Sequence, residues 1–313
     1  MLDIFGAIGV LIFGIALLVF SSDKAVKHSI NIAQALKISP IIVGLTLVSI
    51  GTDFPEIANS IVSCAAGYGD INIGNSIGSV LAQITLVFGI LSFIRTFKVK
   101  REEILIIGSC LILSLILLLA TLEKGYISRL SAFFLVISWP LFMLVVRSSE
   151  KFLKESKKFR VYAKKRSNNF LLDILIATLG FAGVGIGSYL VVQSVIKLST
   201  SFKIPEFLLS FFIVAIGTSL PELTVDFTAI RKKAYGIAVG DLIGSCIVDA
   251  TLAPAIGLLL FPVPIHPVSL SVGFYTLLAS FLVILILAIR EKVDKLAGIL
   301  FILLYLISYA VIA

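Results

Sequence analysis

A chain of 313 residues that is 59% hydrophobic and only 14% charged is not an ordinary soluble domain, which is about a quarter charged. Its formal net charge of +8 would suit a nucleic-acid binder in a soluble protein. In so apolar a chain that charge belongs at a membrane surface facing anionic lipid, and no nucleic acid is needed.

Ten apolar segments follow one another, each long enough to cross a bilayer core of about 30 Å. The first, 3–22, follows Met-Leu-Asp without a basic flank or a small-residue cleavage site, and reads as a retained helix. "KHSINIAQALK" continues it as a polar helical extension. Spans at 40–66, 72–94, 103–121 and 127–146 complete a first group of five. A basic stretch, 148–168, separates them from 170–195, 204–230, 236–261, 268–289 and 296–312. That stretch is too short to fold alone and reads as a topogenic loop.

Lys and Arg orient the spans. With ten spans, 22 of the 26 basic residues fall on one side, which is then cytoplasmic. Both termini are expected outside and the 148–168 loop inside. Cys64, Cys110 and Cys246 lie scattered in three spans, which argues for packing rather than a disulfide or zinc site.

Two stretches stand out. "IGTDFPEIANS" (50–60) returns as "IGTSLPELTVD" (216–226), 166 residues on. The offset holds without a gap through Gly74, Gly78 and Ser79, which map onto Gly240, Gly244 and Ser245. Shared Gly, Pro and Glu are not what chance gives apolar sequence, so the chain is read as duplicated. Repeats of five spans, an odd number, enter the membrane from opposite sides. The expected plan is therefore an all-α membrane protein of ten helices in two inverted repeats, 1–147 and 169–313, with helices 2 and 7 broken. The ion-binding motifs would occupy 50–90 and 216–256.

Chemistry follows from the breaks. Pro55 and Pro221 displace the carbonyls four residues earlier, those of Gly51 and Gly217. An orphan carbonyl in hydrocarbon costs several kcal/mol unless a cation or water meets it. Glu56 and Glu222 add charge one step past each proline, with Asp53 close by. Asn75, Ser79 and Gln83 form one helical stripe, and Asp241, Ser245 and Asp249 another. Gly74, Gly78, Gly240 and Gly244 supply two GxxxG patterns that let helices approach. Six of the chain's 18 acids, Asp53, Glu56, Glu222, Asp226, Asp241 and Asp249, fall within the expected spans of the duplicated segments, and intramembrane carboxylates default to function. Asp226 is the outlier, a candidate solvated end residue whose repeat partner is Ser60. The oxygen-rich set suits Ca2+ and Na+ rather than zinc or copper.

"GTDFPE…GNSIGSVLAQ" and "GTSLPE…GDLIGSCIVD" resemble the two alpha-repeats of the calcium/cation antiporter superfamily, above all the prokaryotic sodium/calcium exchangers. The resemblance implies a secondary antiporter exchanging Na+ for Ca2+ by alternating access at a midplane site, with no cofactor. It assigns ligand roles to Glu56, Glu222, Gln83, Asp249, Thr52, Ser79, Thr218, Ser219 and Ser245. It also implies that spans 1 and 6 slide as a pair. Three positions depart from the family pattern: Asp53 replaces a Ser, Gln83 an Asn or Asp, and Asp241 an Asn. These departures keep open an antiporter of the same fold coupled to H+ or K+, or carrying another divalent cation. A two-aspartate intramembrane protease lacks its Gly-x-Gly-Asp motif, since Ala238 stands where Gly is needed. The sequence does not set the oligomeric state, and a monomer is compatible with it.

Overall fold

The computed structural model describes residues 2–35, 52–123, 125–148, 170–231 and 235–312. Backbone buried in hydrocarbon must satisfy its own N–H and C=O groups, and the described chain is accordingly almost wholly helical. The helices are α1 (Leu2–Ala35), α2 (Phe54–Ala65), α3 (Gly69–Leu81), α4 (Phe88–Ile94), α5 (Arg101–Leu122) and α6 (Arg129–Ser148). They continue as α7 (Phe170–Phe202), α8 (Glu206–Leu209), α9 (Ala215–Thr218), α10 (Leu220–Arg231) and α11 (Tyr235–Asp249). The last are α12 (Leu252–Leu260), α13 (Val268–Arg290) and α14 (Lys295–Ile312). The polar extension of the first span is part of α1 as far as Ala35, and its last two residues lie outside the described residues.

Eight segments of the described chain are long and apolar enough to cross a membrane, and the apolar helix Lys295–Ala310 is shorter. Of the expected span 40–66, only the part from Thr52 onward is described. The 148–168 loop lies outside the described residues beyond Ser148. An all-helical expectation needs one small amendment. Two-residue strands, β1 (Phe97–Lys98) and β2 (Lys292–Val293), pair antiparallel where the chain turns between helices.

The duplication in sequence is repeated in contacts. Lys98 pairs with Lys292, and at an offset of 166 the bridge Tyr126–Pro264 makes the matching pair. The Val99 N–H donates to Glu291 O at 3.1 Å, and the Ile265 N–H to Gly125 O at 2.9 Å. Between α1 and α7, a Cβ on Gly14 would meet Val191, and a Cβ on Gly180 would meet Ala25. Each contact maps onto its twin with the halves exchanged. The two strand-like pairs sit at opposite ends of α5.

α1 and α7 pack along each other at the edge of the bundle. Their outer faces expose Phe5, Phe13, Phe20, Leu171, Leu175 and Leu179. The centre is different. α3 and α11 are buried along most of their length, and Leu111, Leu115, Val283 and Leu287 fill the layer between α5, α13 and their neighbours. Gly74 and Gly78 let α3 lie against the chain of span 7: a Cβ there would come within 2.6 Å of Phe207 O and 2.3 Å of Phe211 O.

This approach yields a test. Gly78→Val should force α3 away from Phe211 and cost about 1–3 kcal/mol of overpacking. Gly185→Val, where a Cβ meets nothing within 4 Å, is the control. Thermal unfolding in detergent should show a lower midpoint for the first variant and no loss for the second. Equal midpoints would contradict the close approach.

Candidate metal centre

The chain turns at equivalent places in both glycine-proline motifs. Asp53 turns the chain before α2 with φ −79° and ψ 7°. Ser219 turns it between α9 and α10 with φ −81° and ψ 7°. Pro55 and Pro221 therefore stand in the first turn of a new helix, where a missing N–H costs nothing. The new helices are secured from the turn: Ile57 N–H donates to Asp53 O at 3.1 Å, and Leu223 N–H to Ser219 O at 3.2 Å. Glu56 and Glu222 lie in these first turns, where the helix dipole favours negative charge.

One expectation changes here. The Gly217 carbonyl is not left bare, because a backbone N–H at the end of α9 reaches it. A tightened last turn satisfies it, and only its second lone pair remains for another partner. Gly217 itself is buried, with Ile15 of α1 packed where its side chain would be. Gly51 lies outside the described residues.

The breaks bring three carboxylates together. Asp53, Glu56 and Glu222 each offer an oxygen within 4.8 Å of the others, and all three are fully buried. Both oxygens of Asp53, both of Glu222 and Oε2 of Glu56 have no hydrogen-bond partner among the described residues. No lysine, arginine or histidine forms an ion pair with them among the described residues. A buried carboxylate normally finds a cation or several donors.

Around this cluster the two stripes close in. Ser79 Oγ donates to Glu56 Oε1 at 3.4 Å. Gln83 Nε2 donates to Asp249 Oδ2 at 3.1 Å and to Ser219 Oγ at 3.4 Å, joining spans 3, 7 and 8. The Cys246 thiol donates to Gln83 Oε1 at 3.4 Å, so this cysteine touches the site as well as packing. Asp249 Oδ1 and Ser245 Oγ are buried without partners. Thr218 Oγ1 donates to Asn75 Oδ1 at 3.2 Å, which engages that amide oxygen. Thr52 is buried beside Asp53. Asp241 sits one turn from Ser245 on α11, and Asp226 one turn from Glu222 on α10. Asp226 is fully buried, which corrects its reading as a solvated end residue.

Sequence reasoning missed two kinds of feature, backbone breaks and a buried side-chain set. Span 3 carries a π-helical turn over Ala82–Val87, which includes Gln83. Span 8 is broken at Ala250 and Thr251, where Thr251 has φ −134° and ψ −78°. Pro254 was the available signal, since its ring displaces the carbonyl of Ala250. In the first half Phe88 stands at that place, and a π-turn replaces the break. Such turns recur at functional sites. The second omission is a neutral buried set near α2 and α3. Asn72 Nδ2 and Ser60 Oγ donate to Pro254 O at 3.0 and 3.3 Å, while both side-chain polar atoms of Asn59 lack partners.

Comparison with known proteins agrees with this geometry. The sequence model of the sodium/calcium exchanger protein family matches residues 6–147 and again 172–313, two segments that start 166 residues apart. The chain is 30% identical over 306 residues to an uncharacterized membrane protein of Methanocaldococcus jannaschii, covering 97% of each. It is 27% identical to the sodium/calcium exchanger MaX1 of Methanosarcina acetivorans, over 88% of this chain and 89% of that one. Among solved structures it is similar to the sodium-calcium exchanger NCX_Mj soaked with Na+ and Sr2+, at a TM-score of 0.62 and 28% identity over 98% of both chains. A duplicated, multi-pass helical protein with buried carboxylates at paired helix breaks thus belongs to the sodium/calcium exchanger family, and is a membrane cation antiporter rather than an enzyme.

Proposed function

We propose that this antiporter exchanges Na+ for Ca2+ by alternating access at the centre between the two helix breaks. The observation that carries the reading is the buried trio Asp53, Glu56 and Glu222, its oxygens within 4.8 Å of one another and mostly unpartnered. Asp249, Ser79, Ser245, Thr52, Thr218, Ser219, Gln83 and the Gly51 and Gly217 carbonyls complete the proposed ligand set; Asn75, whose amide oxygen Thr218 engages, and Asp241, one turn beyond Ser245, stand outside it. One Ca2+ or several Na+ would offset the negative charge, and both draw on the same oxygens. Occupancy by one ion therefore excludes the other, which is the condition for exchange rather than co-transport.

The proposed frame is ten spans in two inverted halves, 1–147 and 169–313. The twinned contacts support it: equivalent pairs at opposite ends of α5 imply an axis perpendicular to that helix. α1 and α7 would move together past the centre, with their lipid-facing surfaces leaving them free to slide. The distribution of basic residues supports termini outside and the 148–168 loop in the cytoplasm. A second reading, coupling to H+, draws on Asp53, Asp226 and Asp241, which stand where the other half has Ser219, Ser60 and Asn75.

Two experiments bear on these assignments. Glu56→Gln and Glu222→Gln should each cut Ca2+ transport at least tenfold in reconstituted vesicles. A neutral amide cannot replace a carboxylate facing a divalent ion in low dielectric. Normal flux in a folded variant removes that residue from the site. For topology, a cysteine at Asn168 should react with impermeant reagent only from the cytoplasm, and one at Tyr68 only from outside. Labelling of both from one side overturns the ten-span count.

A further inference from the structure

Outside the central trio, two more acids are buried together. Asp226 is fully buried and neither carboxylate oxygen has a partner. Asp241 is 8% exposed and its Oδ2 has no partner. α10 and α11 pack directly on each other. Asp226 lies four residues past Glu222, so it shares the inward face of α10 about 6 Å further along the axis. On α11, Asp241, Ser245 and Asp249 form one stripe that runs back toward the centre. α10 ends at Arg231 and α11 starts at Tyr235, so in this packed helical hairpin Asp226, five residues before the end of one helix, and Asp241, six residues into the next, stand at the same level. The pair therefore sits one turn below the centre and is continuous with it. Among the described residues no ion pair reaches either acid, and the Arg231 guanidinium lies over the Phe227 ring at 5.6 Å.

The opposite half gives a built-in comparison. The equivalents of Asp226 and Asp241 are Ser60 and Asn75, both neutral and both hydrogen-bonded: Ser60 Oγ to Pro254 O, Asn75 Oδ1 to Thr218. The same fold thus accommodates neutral groups at these positions, and packing alone does not require carboxylates. Two buried carboxylates with three oxygens that lack a hydrogen-bond donor among the described residues are costly in low dielectric. They are well matched to a hard divalent cation, whose charge offsets both and whose ligands are oxygens.

We propose that Asp226 and Asp241 form a second Ca2+ subsite, one helical turn from the central carboxylates toward the Arg231 end of α10. The inference rests on the transport reading for its ion, and it makes the permeation path chemically asymmetric. One approach to the centre is lined by neutral amides and hydroxyls, the other by a dianionic station where Ca2+ pauses before or after the centre.

The test uses the purified full-length protein and radioactive Ca2+ at equilibrium in Na+-free buffer. Asp226→Ser with Asp241→Asn gives the second half the residues of the first. This double variant should bind one fewer Ca2+ per chain than wild type, while high-affinity binding at the centre survives. Glu222→Gln should do the reverse, losing the tight component and keeping a Ca2+ whose removal requires the double variant in addition. Unchanged Ca2+ stoichiometry in the double variant, in both backgrounds, overturns the subsite. Should the double variant fail to elute as a folded monodisperse species, Asp226→Asn alone is expected to weaken the second component at least tenfold, and an unchanged isotherm overturns the proposal. Loss of no Ca2+ in Glu222→Gln would instead sink the central site and leave the second to be judged by the double variant.

Discussion

Carboxylates buried without partners are the constraint on which this molecule turns. In a medium of low dielectric an ionised side chain without a counter-charge is among the most expensive groups a fold can hold. Here Asp53, Glu56 and Glu222 share one small volume, with Asp249 held beside them through Gln83. No basic side chain from the described residues approaches them. A stable fold would have replaced them by leucine. A cation in that space would offset their cost, and its affinity would be the counterpart of the instability of the site without it.

The rest of the architecture serves to bring such groups to one point. A straight helix presents side chains only along its face. Breaking it beside a proline turns the first turn of the next segment inward, with its dipole favouring the glutamate there. Duplication makes the break twice, at Asp53 and Ser219, with nearly the same backbone angles. Gly74 and Gly78 then let α3 press close enough for Ser79 and Gln83 to reach across. The wider bundle, from α5 and α13 to the paired strands at their ends, fixes how far apart the two halves can be.

Much of this was legible in the amino-acid sequence, because the membrane simplifies the code. Apolar length marks the helices, and a carboxylate inside such a run stands out by its cost. Thus Glu56, Glu222, Asp249, Ser79 and Gln83 were identifiable as one constellation before any coordinates. What escaped was local backbone chemistry. The carbonyl freed by Pro221 is retaken by a tightened turn, a local backbone outcome that residue type does not record. Pro254 breaks span 8 beside Asp249, while the first half absorbs the same place in a π-turn. Asn59 and Asn72 were overlooked because neutral amides are cheap enough to occur anywhere, so their type alone carries little information. Only their burial marks them.

The claim at the centre is that one set of oxygens serves Na+ and Ca2+ in turn. Ca2+ uptake into vesicles of purified protein, driven by an outward gradient of Na+, K+ or H+ in separate runs, tests it most directly. The account predicts rapid uptake with the Na+ gradient, abolished when Na+ is equal on both sides, and little with K+ or H+ alone. Uptake that ignores the Na+ gradient and follows the proton gradient would contradict it.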